Sequence, residues 1–391
     1  MVLVKEYNSL VNFLQCAGCD QTYDVNELQT YAACEKCGNS PLLAHYNLHS
    51  GLSKAAIADQ ERSMWRYQQM LPVLDKKHIV SLGEGWTPLL SANRLAGRYE
   101  LENLLIKDES ANPTGSFKAR GMSMAISKAK ELGVDFCIVP TAGNAGGAMS
   151  AYCAKAGMKA IVVMPYHTPE AFKTECRYFG AELIEVDGLI SDCAKKVAEI
   201  KLEIPCFDVS TMKEPYRLEG KKTMGYEIAE QLNWKLPDVI LYPTGGGTGL
   251  IGMWKAFHEM KELGWIEGKF PRMIAVQSEN CMPVVLTWQG KITTSKDYKG
   301  RPTFANGLAV PKPFAEKLIQ KVLRESNGTA LAVSDAEIKS AMKEMATLEG
   351  LLVCPEGAAL LPALQKLLAS GEIDRDESVL LLNTGSAYKY L

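Results

Sequence analysis

Short apolar runs alternate with amphipathic stretches along most of the chain beyond residue 100. Seven runs have the composition of buried strands, at residues 104–106, 134–139, 160–164, 182–186, 238–242, 273–277 and 379–382. Most of the intervals between them carry apolar residues at helical spacing. This alternation is typical of parallel sheets covered by helices on both faces, so the sequence predicts an α/β fold.

Lys118 is predicted to lie at the start of a helix. Ser116 has the side chain of an N-cap, and apolar residues recur at helical spacing after it. The positive end of a helix and limited access of solvent favour a neutral amine, which is the form that attacks an aldehyde. The position therefore fits a Schiff-base lysine, although a solvated helix lysine has the same local pattern.

A glycine-rich loop, Gly-Gly-Gly-Thr-Gly at residues 245–249, separates the predicted strand at 238–242 from an amphipathic helix at 250–263. Glycines let backbone N–H groups approach phosphate oxygens closely, and the helix dipole adds to the attraction. The loop lacks G-x-G-x-x-G spacing and a Walker lysine, so it is not a dinucleotide site. We interpret it as a phosphate-binding loop, with a simple tight turn as the alternative. Together with Lys118 it indicates pyridoxal phosphate.

Two further turns follow predicted strands. Asn144 lies in a small-residue turn after 134–139, where its amide could donate to a phenolate oxygen and the neighbouring backbone amides could hold a carboxylate. Thr384 follows the strand at 379–382, at the strand end where ligands gather in an open parallel sheet. Ordinary packing of small residues and a strand-end threonine are the alternatives.

Two Cys-x-x-Cys pairs near the N-terminus have the spacing of a metal ribbon. Cys16 and Cys19 are separated by fourteen residues from Cys34 and Cys37. Two such knuckles can complete a tetrahedral site of four thiolates with no open position, which predicts structural Zn²⁺. Gly18 and Gly38 lie where tight turns are needed. Reduced cysteines or redox pairs are the alternative, although the thioredoxin context is missing.

Composition narrows the class of protein. The 391 residues are 47% hydrophobic, which supplies material for two or three domains. The formal net charge of -2 and the absence of a basic block argue against nucleic-acid binding. The sequence has neither a signal-peptide pattern nor an apolar run of about twenty residues. We therefore expect a cytoplasmic protein that does not bind membranes, with reduced thiols among its eleven cysteines.

Several motifs in order resemble the threonine synthase family of fold type II pyridoxal phosphate enzymes. The matching stretches, at residues 83–89, 107–121, 142–144, 216–223, 245–249 and 383–385, span about residues 80 to 388. The resemblance implies two doubly wound α/β domains of the tryptophan synthase β-like type, preceded here by a small N-terminal zinc ribbon. The expected domains are 1–50 for the ribbon, 51–119 with 231–391 for the large domain, and 120–230 for the small one. A homodimer is also expected from the resemblance.

The resemblance also implies roles for individual residues. Lys118 is the Schiff-base lysine and the catalytic residue, Asn144 the partner of the phenolic oxygen, and Thr384 the hydroxyl at the pyridine nitrogen. The cofactor would be bound by Lys118, Asn144, Gly245, Gly246, Gly247, Thr248, Gly249 and Thr384. The amino-acid substrate would be bound by Ala142, Gly143 and Arg217, with Arg217 facing its anionic group.

The chain departs from the family pattern at positions that help to hold phosphate in the substrate. Ala119 replaces an aspartate, Ala142 and Ala145 replace hydroxyl residues, and Gly246 replaces an asparagine. The leading expectation is a lyase that converts O-phosphohomoserine to threonine and phosphate. The alternatives are a β-eliminase or β-replacement enzyme acting on serine, threonine or a phosphorylated serine, and a non-catalytic protein whose ribbon recruits a partner. The segment at 288–312 breaks the pattern and is expected to be a mobile active-site loop or an interface.

Overall fold

A computed structural model describes residues 9–27, 34, 36–37 and 40–391 of the chain. These residues form an α/β protein, as the sequence predicts, and its strands make three sheets. The chain divides into two compact units, which are described separately. One unit holds the described residues up to Trp86 together with Lys118–Thr223 and His258–Trp265, and the other holds Thr87–Phe117, Met224–Phe257 and Ile266–Leu391.

Thirteen strands and thirteen α-helices are present in the described part of the chain. The strands are β1 Val11–Cys16, β2 Thr22–Tyr23, β3 Leu42–Tyr46, β4 Leu89–Ser91, β5 Asn103–Asp108, β6 Phe136–Pro140, β7 Lys159–Pro165, β8 Glu182–Val186, β9 Phe207–Asp208, β10 Val239–Pro243, β11 Arg272–Ser278, β12 Thr329–Val333 and β13 Ser378–Asn383. The helices are α1 Lys54–Ala58, α2 Asn93–Tyr99, α3 Lys118–Glu131, α4 Asn144–Ala156, α5 Glu170–Tyr178, α6 Ile190–Glu203, α7 Tyr216–Gln231, α8 Thr248–Glu262, α9 Pro283–Trp288, α10 Glu316–Glu325, α11 Asp335–Glu349, α12 Pro355–Ala358 and α13 Leu360–Ala369. None of these helices is both long enough and apolar enough to span a bilayer.

The larger sheet has the strand order β12-β11-β10-β13-β5-β4, and all its pairs are parallel except β4 with β5. Strands β10 and β13 are neighbours, with Val239 opposite Val379. Because the carboxyl ends of parallel strands lie at one edge, the glycine loop after β10 and Thr384 after β13 emerge side by side.

The smaller parallel sheet has the order β8-β7-β6-β9. Its apolar strands pack against α6 through Ile138, Ile161, Val163, Cys193 and Val197. The turn at 142–144 follows β6. Strand β9 pairs with β6 and ends just before the segment that leads to Arg217.

An antiparallel sheet in the order β2-β1-β3 forms the N-terminal ribbon, with a small core of Leu14, Val25 and Ala44. Gly38, expected to occupy a tight turn of this ribbon, lies outside the described residues. Gly18 is described, and a Cβ atom there would lie 2.2 Å from Ser40 Oγ. The first turn therefore needs glycine.

The sequence of residues 54–70 predicts a helix, and the structure differs from that prediction. Only α1 is α-helical there, and Met64–Met70 is a 3₁₀-helix. The cause is Arg66, whose guanidinium is buried and donates to the carbonyl oxygens of Ile57 at 3.0 Å and of Gln60 at 3.0 Å. A continuous helix would occupy those carbonyl groups with its own N–H donors.

Candidate active site

Lys118 is the first residue of α3 and is half-buried, so its predicted place in the first turn is confirmed. The predicted capping by Ser116 is wrong, because Ser116 Oγ is buried without a hydrogen-bond partner. Ser116 instead forms a bridge with Gly385, and the Phe117 N–H donates to the Thr384 carbonyl oxygen at 3.0 Å. The chain thus reaches Lys118 in an extended conformation that is fixed by pairing and not by a side-chain cap.

Glu109 shapes the loop that precedes Lys118. This buried carboxylate accepts hydrogen bonds from the Thr87 hydroxyl at 2.6 Å and from Asn112 Nδ2 at 2.8 Å. The loop then turns through Thr114, whose φ of 60° is unusual for a residue with a side chain. Lys389 Nζ donates to the Thr114 carbonyl oxygen at 2.8 Å and holds this turn from the C-terminal segment.

Glu84 holds α3 and α4 together beneath the site. Its carboxylate is fully buried and accepts from Trp65 Nε1 at 2.8 Å, Ser123 Oγ at 2.5 Å, the Leu82 N–H at 2.9 Å and Tyr152 Oη at 2.6 Å. Ser123 lies on α3 and Tyr152 on α4. Sequence reasoning placed Glu84 in a matching motif without giving it a role.

Asn144 is the first residue of α4 and is half-buried. The turn before it is fixed by Thr141, whose hydroxyl accepts from the Gly143 N–H at 3.2 Å and lies 3.3 Å from the Gly143 carbonyl oxygen. Ala142, Gly143 and Asn144 therefore form a preset turn at the N-terminus of a helix, where N–H groups favour a carboxylate or another anion. Lys118 and this turn lie in the same compact unit.

The glycine loop enters α8 at Thr248, as expected of a phosphate-binding loop. Gly247 has a φ of 76°, and a Cβ atom at Gly249 would lie 2.2 Å from the Tyr242 hydroxyl oxygen. Neither position accepts a side chain without rearrangement. A Cβ atom at Gly245 would likewise lie 2.2 Å from the Gly307 carbonyl oxygen, so the segment expected to be a mobile loop or an interface contributes Gly307 to the wall behind this loop.

Thr384 is buried at the carboxyl end of β13, next to the strand that leads into the glycine loop. Its hydroxyl lies 3.5 Å from the thiol of Cys354. Burial raises the pKa of that thiol, so Cys354 stays neutral. The thiol next to Thr384 is therefore neutral, which suits a hydroxyl that faces a ring nitrogen without donating a full proton to it.

Arg217 lies in the first turn of α7 and is 1% exposed. Its Nη1 donates to the Val209 carbonyl oxygen at 2.5 Å, just beyond β9. Its Nε and Nη2 atoms are buried without a hydrogen-bond partner. Burial lowers the pKa of Arg217, while Glu214 and Asp208 oppose that shift.

Two buried ionisable residues next to Arg217 were not recognised in the sequence. Glu214 Oε2 accepts from the backbone N–H groups of Tyr216 at 2.7 Å and Arg217 at 2.9 Å, and burial raises the pKa of Glu214 to about 7. Lys221 is fully buried one turn after Arg217. A helical spacing of four between Arg217 and Lys221 was the available signal.

The four cysteines of the ribbon come together as the sequence predicts. Their Sγ atoms all lie within 4.8 Å of one another, with Cys16 and Cys37 at 3.5 Å and Cys19 and Cys34 at 3.4 Å. In a tetrahedral zinc site each sulfur atom lies about 2.3 Å from the ion, and the distances between the sulfur atoms are then similar to those seen here. The Gly18 N–H lies 3.3 Å from Cys16 Sγ and Tyr23 Oη lies 3.2 Å from Cys34 Sγ, so both sulfur atoms have donors of the kind that support bound thiolates.

The residues of the structure fit pyridoxal phosphate. The glycine loop at the start of α8 leaves no room for side chains at Gly247 and Gly249, as a backbone cradle for the phosphate ester requires. Lys118 supplies an amine, Asn144 an amide donor, and Thr384 a neutral hydroxyl. Taken one by one, these groups match the aldehyde, the phenolic oxygen and the ring nitrogen of this cofactor.

Comparisons with known proteins agree with this chemistry. Residues 80–385 match the family described as pyridoxal-phosphate dependent enzyme. The chain is 35% identical over 377 residues to a threonine synthase of Methanocaldococcus jannaschii, covering 96% of this chain and 92% of the relative. It is 33% identical to a threonine synthase of Methanosarcina acetivorans with the same coverage.

Solved structures give the same fold. The structure of maize serine racemase superposes with a TM-score of 0.66 at 21% identity, covering 77% of this chain and 88% of that one. A likeness at this identity shows the fold alone, and it bears out the fold type II architecture. From the sequence matches over most of its length, the chain belongs to the threonine synthase family of pyridoxal-phosphate dependent enzymes and is a lyase that uses this cofactor.

Proposed function

We propose that the enzyme converts O-phosphohomoserine and water to L-threonine and inorganic phosphate. The observation that carries this proposal is the buried Arg217 guanidinium, whose Nε and Nη2 atoms lack hydrogen-bond partners in the structure. Burying a cation in this way costs free energy unless an anion binds to it, and a guanidinium matches the geometry of a phosphate. The relatives named threonine synthase support the same substrate class.

Each residue of the site has a defined task in this reaction. Pyridoxal phosphate, when bound, supplies an electron-withdrawing ring that lowers the pKa of the protons near the substrate amine. Lys118 would hold the cofactor and, as the amine nearest the substrate, would move protons at the α and β carbons of the substrate. Thr384 offers the ring nitrogen a hydroxyl and not a carboxylate, which favours elimination and replacement over transamination.

The remaining site residues are proposed to bind and orient the cofactor and the substrate. Asn144 would donate to the phenolic oxygen of the cofactor, and its phosphate ester would be held by Gly245, Gly246, Gly247, Thr248 and Gly249. Ala142 and Gly143 offer backbone amides to the substrate carboxylate at the N-terminus of α4. Arg217 binds the γ-phosphate of the substrate until it leaves.

Product analysis of the purified enzyme tests the proposal. We expect equal amounts of threonine and phosphate from O-phosphohomoserine. The second candidate is a β-eliminase or β-replacement enzyme acting on serine, threonine or phosphorylated serine, and it is favoured by the methyl side chains of Ala142 and Ala145 in the substrate turn. Release of 2-oxo acid and ammonia from serine or threonine, without phosphate release from O-phosphohomoserine, would reject the first reaction in favour of the second.

We propose that Cys16, Cys19, Cys34 and Cys37 bind one structural Zn²⁺. The proposal is supported by four thiols within 4.8 Å of one another, which is a full ligand set for a tetrahedral structural zinc site. Metal analysis of the purified protein should find about one zinc ion per chain.

We also propose a cytoplasmic homodimer that binds small molecules and neither nucleic acid nor membranes. The dimer is supported by the family, and the lack of nucleic-acid binding by the net charge of -2. Light scattering should give twice the chain mass of 42.9 kDa. The limits 1–50, 51–119 with 231–391, and 120–230 are our proposed domains.

A further inference from the structure

The turn around Gly307 lies directly behind the glycine loop. A Cβ atom at Gly245 would lie 2.2 Å from the Gly307 carbonyl oxygen and 3.0 Å from Val310 Cγ2. The two backbones are therefore in close contact, with no room for a side chain between them. The turn itself is a 3₁₀-helix at Asn306–Leu308. A displacement of this turn would consequently displace the loop that is proposed to hold the cofactor phosphate.

Glu356 contacts Gly307 from the other side. Its Oε1 atom accepts a hydrogen bond from the Gly307 N–H at 2.6 Å, and a Cβ atom at Gly307 would lie 2.9 Å from the same oxygen. Glu356 is 5% exposed, so the contact is shielded from water. Hydrogen bonds from a backbone N–H to a carboxylate are among the stronger ones in proteins. Gly307 is thus enclosed between this carboxylate and the backbone of Gly245.

The carboxylate lies in α12, a helix of four residues that is fixed to the end of β13. A Cβ atom at Gly357 would lie 2.5 Å from Asn383 Oδ1. The Cys354 N–H donates to the Gly385 carbonyl oxygen at 3.0 Å. Asn383 and Gly385 are the residues on either side of Thr384. The support behind the glycine loop and the hydroxyl proposed for the ring nitrogen therefore depend on the same short helix.

Residues 386–390 supply the second hydrogen bond to Glu356. Tyr390 Oη donates to the same Oε1 atom at 3.1 Å. Next to it, Lys389 Nζ donates to the Thr114 carbonyl oxygen at 2.8 Å, in the loop that precedes α3. One carboxylate oxygen thus accepts from two separate segments of the chain. The glycine loop and the loop before α3 are both connected through these contacts.

We propose that Glu356 is a positioning residue for the cofactor phosphate, which acts through Gly307 on the loop at residues 245–249. The inference rests on the proposed role of this loop and is independent of which amino acid is the substrate. Without the carboxylate, the turn at Gly307 is no longer fixed, and the backbone N–H groups of the loop are less well oriented toward the phosphate ester. Contacts made by the rest of the cofactor should remain.

Pyridoxal, which is the cofactor without its phosphate group, separates this role from a general loss of structure. Full-length protein freed of cofactor is titrated with pyridoxal phosphate and with pyridoxal, and the visible absorption gives a Kd for each compound. Glu356→Ala should weaken binding of pyridoxal phosphate about tenfold or more, because it leaves a buried N–H without its acceptor and loosens the loop. The Kd for pyridoxal should stay within about twofold of the wild-type value, so the preference for the phosphorylated compound falls.

Two further variants are matched controls. Glu356→Gln keeps an Oε1 atom that accepts from both Gly307 and Tyr390, so it should retain the wild-type preference within about twofold. Glu267→Ala removes an exposed carboxylate from the same compact unit and should bind both compounds as the wild type does.

The outcomes distinguish this inference from the assignment of the glycine loop. A wild type that binds pyridoxal as tightly as pyridoxal phosphate would show that residues 245–249 do not hold a phosphate ester, and it would overturn both. A wild-type preference that Glu356→Ala retains, or a weakening of both compounds by the same factor, overturns the inference alone. If Glu356→Ala does not fold, Glu356→Asp, which keeps the carboxylate but draws it back by one methylene group, takes its place. It should lower the preference several-fold, and an unchanged preference in this variant overturns the inference.

Discussion

Three lysines of one compact unit differ in chemistry because their neighbours differ. Lys118 is half-buried at the positive end of α3, Lys221 is buried beside Arg217, and Lys222 is buried between two carboxylates. Lys118 is thus the candidate for covalent binding of the cofactor, whereas Lys222 lies in an internal ion pair. The role of each lysine depends on its burial and on the charges around it, and neither can be inferred from the residue type alone.

The assignment of Lys118 predicts the effect of its removal. Lys118→Ala should lower turnover by about 10³-fold or more, because it removes both the covalent attachment point and the proton-transfer group. It should also remove the visible absorption of covalently bound cofactor. Lys155→Ala, an exposed lysine in the last turn of α4, is the control and should leave both unchanged. Near wild-type turnover by Lys118→Ala would show that another amine binds the cofactor and transfers the protons.

Glu214 predicts a pH dependence of stability. Burial raises its pKa in the folded state to about 7, from 4.5, so the folded state disfavours the ionised carboxylate. Its contribution to stability is full below pH 4.5 and is lost as the pH rises through about 7, by on the order of 3 kcal/mol. Glu214→Gln, which mimics the protonated form, should therefore melt like the wild type at about pH 5 and at a higher temperature at about pH 8.

Thermal unfolding in phosphate-free buffer at the two pH values measures this difference. Glu61→Gln, an exposed carboxylate, serves as the control and should follow the wild type at both. A Glu214→Gln variant that is less stable than the wild type at the higher pH would mean that the pairing of Glu214 with Arg217 outweighs its burial.

At the scale of elements, the N-terminal turns of α3 and α4 are held by packing beneath them. Glu84 accepts four hydrogen bonds, from Trp65, Leu82, Ser123 and Tyr152, and so ties both helices to the preceding segment. Glu84→Gln presents an NH₂ group to donors, which leaves buried donors unpaired at a cost of about 3 kcal/mol. We expect a clearly lower melting temperature than that of Glu61→Gln. Equal melting of the two variants would show that water or rearranged partners satisfy these donors.

Sequence patterns predicted those elements in which local burial or backbone geometry restricts the residue types. The apolar strands β10 and β13 and the glycine loop after β10 were found because burial and backbone geometry select particular residue types. The capping of α3 was predicted wrongly, since Ser116 pairs with Gly385, which is remote in sequence. Arg66 likewise ends a helical pattern through contacts that no local propensity contains.

The candidate site, like the fold, was predictable only where a residue follows a local sequence pattern. Lys118 and Asn144 follow recognisable turns, whereas the burial of Lys221 and Glu214 depends on how α7 packs in the folded chain. The two glycines at which α7 packs closely against α3, Gly121 and Gly220, occur inside helices, where a sequence pattern gives no indication of the partner helix. Burial of a charge is a property of the folded chain, so it could not be read from periodicity.

At the scale of the whole molecule, the ribbon is joined to the helix that carries Arg217. Tyr46, at the end of β3, donates from its hydroxyl to Glu219 Oε2 on α7 at 2.7 Å. The Lys222 ammonium lies 3.9 Å from the centre of the Tyr46 ring. A partly buried network of hydrogen bonds and charge thus links the last strand of the ribbon to α7.

Removal of the metal should therefore change the stability of the protein and its KM, and not only the structure of the ribbon. The ribbon has a core of only a few apolar residues, so without its ion it should lose its fold and release Tyr46 from Glu219. Cys19→Ser should lose zinc, melt at a lower temperature and show a several-fold higher KM for O-phosphohomoserine, because α7 is less well fixed. Cys206→Ser, a half-buried cysteine outside the cluster, should keep zinc and the wild-type KM. Tyr46→Phe separates the two effects, since it should keep zinc yet raise KM. A zinc-free Cys19→Ser enzyme with wild-type KM would show that the ribbon acts independently of α7.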